Sequence, residues 1–368
     1  MKTRTKRIMK IALLVVAVAI VGNLIVSQPI LNKAIVIGMG IDETEDGEVE
    51  VTVQIAVAGE SSAPGAPNRY AIMSGKASTL IGAMDRIART TAYKPAYFHC
   101  HMVIFGERLT KNGVKGIATE LFNEDSVMDD VAVMAVKGTA KETLERSVSV
   151  QGASSVYLQQ LNKINSSTGG HPTATLKSFV TNFETKGVTP YLPWVEAIPV
   201  PKAIGGADTG GDERNYAFDC SKTVLFYKDG KGVITGENVT AAIGLSAQAE
   251  GMLLPIKTDE GFMDVNVKRS LTWWKIERSG KISLCCLYFV NVVTQSVKKS
   301  AKEIPDALVI EHTKKYIRGV MENAYFEEAE KGLDIYSLAG KYHKKFGEKR
   351  EPQRLSLDLK LTVRLGDA

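Results

Sequence analysis

His99-Cys100-His101 is the one cluster of metal-ligand side chains in the sequence. In an extended strand His99 and His101 project to the same face, a geometry that can bind a metal. A site needs further ligands, and His171, His312 and His343 are scattered, with no carboxylate at a telling spacing. Packing or solvent exposure of both histidines is the plainer reading. Gly38-Met39-Gly40 follows an apolar run, as a phosphate-binding turn would. Glu43 stands where a third glycine belongs, however, and a Val-rich strand follows in place of a helix. Glycines in a packed or bulged strand account for it. Glu124-Asp125 and Asp129-Asp130 are paired carboxylates of the kind that can move protons. They fall in a loop, where solvated turn acids are common. Trp273-Trp274 lies in an apolar strand with one face buried, and the pair either packs in a core or marks an interaction surface. No Gly-x-Ser-x-Gly, His-Glu-x-x-His or Walker sequence occurs.

The four cysteines are Cys100, Cys220, Cys285 and Cys286. The first two are far apart in strand-like surroundings. The last two are adjacent, so a strand would turn them to opposite faces. Buried free thiols fit this better than two bridges. No Cys-x-x-Cys pair or zinc-ribbon spacing is present.

The elements that would position these residues alternate between strand and helix. Ala34 to Ile41 and Val49 to Val57 read as a β-hairpin turning at Asp46-Gly47. The second run alternates Val49, Val51, Val53, Ile55 and Val57 with polar residues, as a half-buried strand does. Tyr70 to Met73 adds a short strand. Ser78 to Thr91 is an amphipathic helix. A strand from Tyr97 to Phe105, a helix from Gly113 to Phe122 and a strand from Val131 to Val136 follow. Thr139 and Glu142 form a capping box ahead of a helix from Ala140 to Arg146. Helices are predicted for Ala153 to Ile164 and Leu176 to Phe183, and an extended piece for Lys186 to Pro193. Ala203 to Asn215 is rich in glycine and reads as a linker. A second hairpin turns at Asp229-Gly230, and a short helix is expected over Val239 to Gly244. Val265 to Glu277 and Lys281 to Val293 pair around Ser279-Gly280. Pro305 opens a long helix to about Glu330. Asp334 caps a shorter one through Tyr342. Leu355 to Leu365 alternates without a break, as a strand.

Ahead of all this stands an apolar run from Ile8 to Val26. The residues expected to form a membrane anchor are Ile8, Ile11, Leu13, Leu14, Val15, Val16, Val18, Ile20, Val21, Leu24, Ile25 and Val26. The run is close to the ~20 residues a helix needs to cross a bilayer. Lys2, Arg4, Lys6, Arg7 and Lys10 lie before or just inside it, and no acid occurs before Asp42. Such a segment is either a retained anchor or a cleaved signal peptide, and positive-inside bias holds its basic start in the cytoplasm. Ser27 suits one subsite of a cleavage site, but Ile25 suits the other poorly. Everything after Ser27 is then exported. Removing these five from the 46 basic residues leaves 41, equal to the 41 acidic ones. A neutral exported part argues against a nucleic-acid partner.

The order of these pieces resembles the Ger(x)C family, the C subunits of spore germinant receptors. The resemblance starts at Gly38-Met39-Gly40-Ile41-Asp42 and the strand ending Gln54-Ile55-Ala56-Val57. It continues through Tyr97 to Glu107, Val136-Lys137-Gly138-Thr139-Ala140, Lys186 to Pro193 and Val224 to Gly230. A long helix, Asp334-Ile335 and a last alternating strand complete it. It implies an α/β fold of α+β type: an N-terminal membrane anchor plus about three domains, each a sheet with helices packed on it. The expected organisation is a cytoplasmic basic tail (1–7), a transmembrane anchor or signal (8–27), an N-terminal germination-subunit region (28–200), a linker (201–216) and a C-terminal germination-subunit region (217–368). It further implies a non-enzymatic role without cofactors at the inner spore membrane. There the C subunit would be held by a single pass with its C-terminal part extracytoplasmic. It would act with membrane-embedded A and B subunits that respond to nutrients. Family members usually carry a lipid-modified cysteine after the apolar run, where this sequence reads Val26-Ser27-Gln28-Pro29-Ile30. The helix itself would replace the lipid. An extracytoplasmic scaffold or binding module of vegetative cells is the alternative.

Overall fold

Alternating apolar side chains make the sheets of this chain, and amphipathic helices cover them. A computed structural model describes residues 33–56, 70–146, 148, 153–168, 170–200, 215–247, 249–258, 261–297, 304–352 and 354–366. The expected anchor (8–27), with all its named residues, lies outside the described residues, as do positions 201–214 of the expected linker.

The expected hairpin is present. β1 (Lys33–Glu43) pairs antiparallel with β2 (Val49–Ala56), and the turn places Gly47 at φ 79°. β3 (Tyr70–Ala77) extends the sheet beyond β2 and is longer than its sequence signal. α1 (Leu80–Thr90) starts at Thr79, whose hydroxyl accepts from the Gly82 amide at 3.1 Å. β4 (Lys94–Ala96) lies parallel to the start of β1, and β5 (Met102–Phe105) is parallel to its second half. α2 (Glu107–Asn112), α3 (Lys115–Phe122), β6 (Ala132–Val136), α4 (Ala140–Glu145), α5 (Ser154–Thr168) and α6 (Leu176–Glu184) follow. β7 (Tyr191–Val200), β8 (Asn215–Phe226) and β9 (Gly232–Ile234) complete a nine-stranded sheet, ordered β3-β2-β1-β5-β6-β7-β8-β9 with β4 beside β1. Val200 stands opposite Asn215, so the strands on either side of 201–214 are neighbours in one sheet.

Both faces of this sheet are covered. Val51, Val53, Val103, Phe105 and Val133 pack with Leu80, Leu121, Leu176 and Phe179 of α1, α3 and α6. Met102, Ile104, Met134 and Val136 pack with Ala140, Leu144 and Leu158 of α4 and α5. β2 is therefore not half-buried as its alternation implied. Its polar positions Glu50, Thr52 and Gln54 are buried as well, because α4 and α5 cover the side that alternation assigns to water.

The C-terminal part builds a second sheet. After α7 (Glu237–Ser246) come β10 (Met252–Lys257), β11 (Gly261–Ile276) and β12 (Lys281–Val297). α8 (Asp306–Glu330) and α9 (Leu338–Phe346) then lead to β13 (Ser356–Leu365). The order is β10-β11-β12-β13, with β13 parallel to β12. That parallel pairing needs a crossover, which α8 and α9 supply. Val265, Val267, Tyr288, Val290 and Leu361 pack against Val239, Ile243, Ile317 and Met321 of α7 and α8. The described residues thus carry two sheets where the resemblance implied three. The reason is that β7, β8 and β9 continue the first sheet instead of starting another.

Asp334 caps α9 as expected. Its carboxylate accepts from the Tyr336 amide at 3.1 Å, from Ala339 at 3.3 Å and from Leu338. The expected strand from Tyr97 to Phe105 is broken. Tyr97–His99 forms a 3-10 turn, closed by the Cys100 amide donating to the Tyr97 carbonyl at 2.8 Å. Burial of Tyr97 and Cys100, three residues apart, drives the turn, since a strand would send them to opposite faces.

Candidate functional site

The Gly38-Met39-Gly40-Ile41-Asp42 run lies on β1, against α4 and α5. A Cβ on Gly38 would fall 2.3 Å from Ser155 Cβ, and one on Gly40 would fall 2.9 Å from Ala140 Cβ. The glycines let two helices approach a central strand, and a register shift between Val36 and Gly38 marks the bulge. No phosphate turn is formed. Asp42, at the end of the run, accepts from the Ala140 amide at 2.8 Å and from Lys141 at 2.9 Å. It closes the N-terminus of α4 together with Thr139, which accepts from Glu142 at 3.1 Å. Burial pushes the Asp42 carboxyl up to about 6, although both amides pull it down.

Gln54 is the residue that sequence reading missed. Its amide nitrogen donates to the Leu144 carbonyl at 2.8 Å and to Ser154 Oγ at 3.1 Å. Its oxygen accepts from the Ser155 amide at 3.2 Å and from the Ser155 hydroxyl. One side chain thereby ties β2 to the end of α4 and the start of α5. A glutamine amid valines was the only signal. Beside it Glu50 pairs with Lys141 at 3.0 Å and Lys76 at 3.3 Å.

The ligand-type residues are not assembled into a metal centre. His99 sits in the 3-10 turn and His101 follows it, both exposed, so they do not share a strand face. Among the described residues no group of three or more His, Cys, Asp or Glu side chains gathers to hold a metal. Cys100 is buried, its thiol donates to the Met102 carbonyl at 3.2 Å, and burial pushes it up to about 12. All four cysteines are free and buried. Asp129 is held at the surface by Lys177 at 2.8 Å. A cleft of about 550 Å³ lies between α5 and the start of α6, lined by Cys100, His101, Asp130, Asn162, Lys163 and Thr175. It is polar and wide enough for a small molecule.

The two tryptophans divide the roles considered for the pair. Trp274 packs inward, with its ring centre 6.2 Å from that of Tyr336 and the Lys341 ammonium 4.5 Å above it. Trp273 points the other way and is 47% exposed. With it on the outer face of the second sheet stand Leu253, Phe262, Leu271 and Val293, all exposed. Among the described residues no helix packs on this face. An apolar face of this kind is where a protein surface usually meets a partner.

The two parts of the chain are joined by the Lys186–Pro190 segment. The Thr189 amide donates to Ser337 Oγ at 3.2 Å, and the Asp334 amide donates to Thr189 Oγ1 at 3.2 Å. Two of the stretches that carry the family resemblance are therefore in contact.

Comparison with known proteins bears on the same stretches. No curated protein matches the chain. A solved structure described as the crystal structure of the GerBC protein is similar over 90% of this chain and 97% of that one, with 12% identity and a TM-score of 0.49. Residues 27–197 match the family described as spore germination protein N-terminal domain. The match runs from Ser27, just after the apolar run, into β7, and so includes the glycines of β1, Asp42, Gln54 and the helices they hold. Over those residues the chain is similar to the N-terminal domain of spore germination proteins.

Proposed function

We propose that the chain is the non-catalytic, membrane-anchored subunit of a nutrient germinant receptor, acting in spore germination with A and B subunits. The match of residues 27–197 to a spore germination domain carries this reading. Two further observations support it. The run from Ile8 to Val26 has the length and basic flank of a membrane-spanning helix, and it directly precedes the matched region. The outer face of the second sheet offers Phe262, Leu271 and Trp273 for contact with another protein. The chain thus works by contacts, with its folded part on the extracytoplasmic side of the inner spore membrane. Purification of the tagged full chain from detergent-solubilised spore membranes tests this. Recovery of an A and a B subunit with it, and an intact N-terminus, is expected. Recovery without either subunit, or a mature N-terminus at Gln28, contradicts it.

A further inference from the structure

β1 opens at Lys33, beside β4, with Lys33 opposite Lys94 in register. The Lys33 ammonium lies 5.5 Å from the centre of the Phe98 ring, and the His99 ring lies tilted by 43° to Phe98 with centroids 4.3 Å apart. Tyr93 is 52% exposed and Phe98 44% exposed. From Arg86 to Gly106 the sequence holds no Asp or Glu. The nearest acid before it, Asp85 on α1, is paired with Arg89 at 2.7 Å. Beyond β5, Asp129 is paired with Lys177, and Asp130 lies in the cleft. Glu124 acts on Tyr97, and with Asp125, Asp129 and Asp130 it precedes β6, so the acids gather on the β6 side and the β1–β4 corner is aromatic and basic.

Exposed rings beside lysines fit one environment well. Aromatic side chains with a polar edge settle at the headgroup level of a bilayer, and lysine stems extend along apolar surface while their ammonium groups reach anionic headgroups. The preceding chain supplies the bilayer. The apolar run ends at Val26 and β1 starts at Lys33, so residues 27–32 are all that separate them. Fully extended, those residues span at most about 20 Å. An acidic protein would meet the same charges, but the short tether holds this patch at the membrane first.

We propose that the β1–β4 end of the first sheet, through Lys33, Tyr93, Lys94 and Phe98, seats in the anionic headgroup layer of the membrane that holds the N-terminal segment. This rests on the anchored reading above. The starts of the parallel strands β1 and β4 then lie against the bilayer, with the acid-bearing start of β6 farther along the sheet, and the Thr44–Gly47 turn points away from it.

The four native thiols are buried, so an added surface cysteine can be labelled selectively. The full chain carrying Phe98→Cys or Glu45→Cys is labelled with a fluorophore and reconstituted into phosphatidylglycerol-containing nanodiscs. A nitroxide-headgroup lipid is the membrane quencher, and iodide is the aqueous one. The label at position 98 is expected to be quenched by the lipid at least threefold more than that at position 45, and to be shielded from iodide. Phe98→Cys combined with Lys33→Glu and Lys94→Glu should remain in the discs and lose the difference. Equal quenching at both positions in disc-bound protein overturns the docking and leaves the anchor standing. So does shielding of position 98 that appears only when a partner protein is added. Elution of the chain apart from the discs overturns the anchored reading and the docking together.

Discussion

The Gly340 amide donates to the Gly187 carbonyl at 2.8 Å, joining α9 of the second sheet to the segment that leads into β7. A side chain has no room at this joint. A Cβ on Gly340 would lie 2.6 Å from Val188 Cγ2, and one on Gly187 would lie 2.6 Å from the Ala339 side chain. Gly187 also has φ 71°, which favours glycine.

Gly340→Ala is therefore expected to destabilise the chain by about 1–3 kcal/mol, the usual cost of overpacking. Gly187→Ala should cost more, because backbone strain adds to the clash. Urea unfolding of the detergent-solubilised chain measures both. Midpoints unchanged from wild type would show that the joint is loose.

Gly38 and Ser155 make a second close contact, inside the run that resembles a nucleotide motif. Gly38→Ala should lower stability by about 1–3 kcal/mol, and Ser155→Gly in the same chain should recover part of that loss. The recovery is incomplete because Ser155 also bonds Gln54. Strict additivity of the two changes would count against direct contact.

Replacing Gln54 by Leu keeps the volume but takes the acceptor from the Ser155 amide and hydroxyl, while the Leu144 carbonyl keeps the Ser154 hydroxyl at 3.1 Å. Each buried polar group left without a partner costs about 1–3 kcal/mol. A loss above about 2 kcal/mol is expected, with faster amide exchange at the start of α5. A variant as stable as wild type would show that the network contributes little.

Asp42 gives stability a pH dependence. Burial raises its carboxyl from 3.8 to about 6, with Glu50 and Glu142 adding to the rise. Between these values the folded chain holds a proton that the unfolded chain has released. The contribution is complete below about pH 4 and is lost as pH rises through 6. Wild type should lose on the order of 2–3 kcal/mol relative to Asp42→Asn between pH 4 and 7. Parallel profiles for the two chains would refute the raised value.

Most elements were legible because their signals are local. Gly47 and Gly230 marked hairpin turns, Thr139 and Asp334 marked helix starts, and Leu359, Leu361 and Val363 marked one face of β13. The failures share a cause in tertiary packing. Nothing in the alternation of β2 revealed that α4 and α5 would bury Gln54 from the other side. Tyr97 and Cys100 turned inward together, which broke an apparently continuous strand. The contact between Gly187 and Gly340 crosses more than 150 positions of sequence and leaves no local trace.

Nutrient response of spores tests the central claim most directly. Spores lacking this chain, and the same strain with the chain restored, are scored for germination on single nutrients and their mixtures. The account predicts loss of response to at least one nutrient stimulus and its return on restoration. Germination of the deletion spores at the wild-type rate on every nutrient would contradict it.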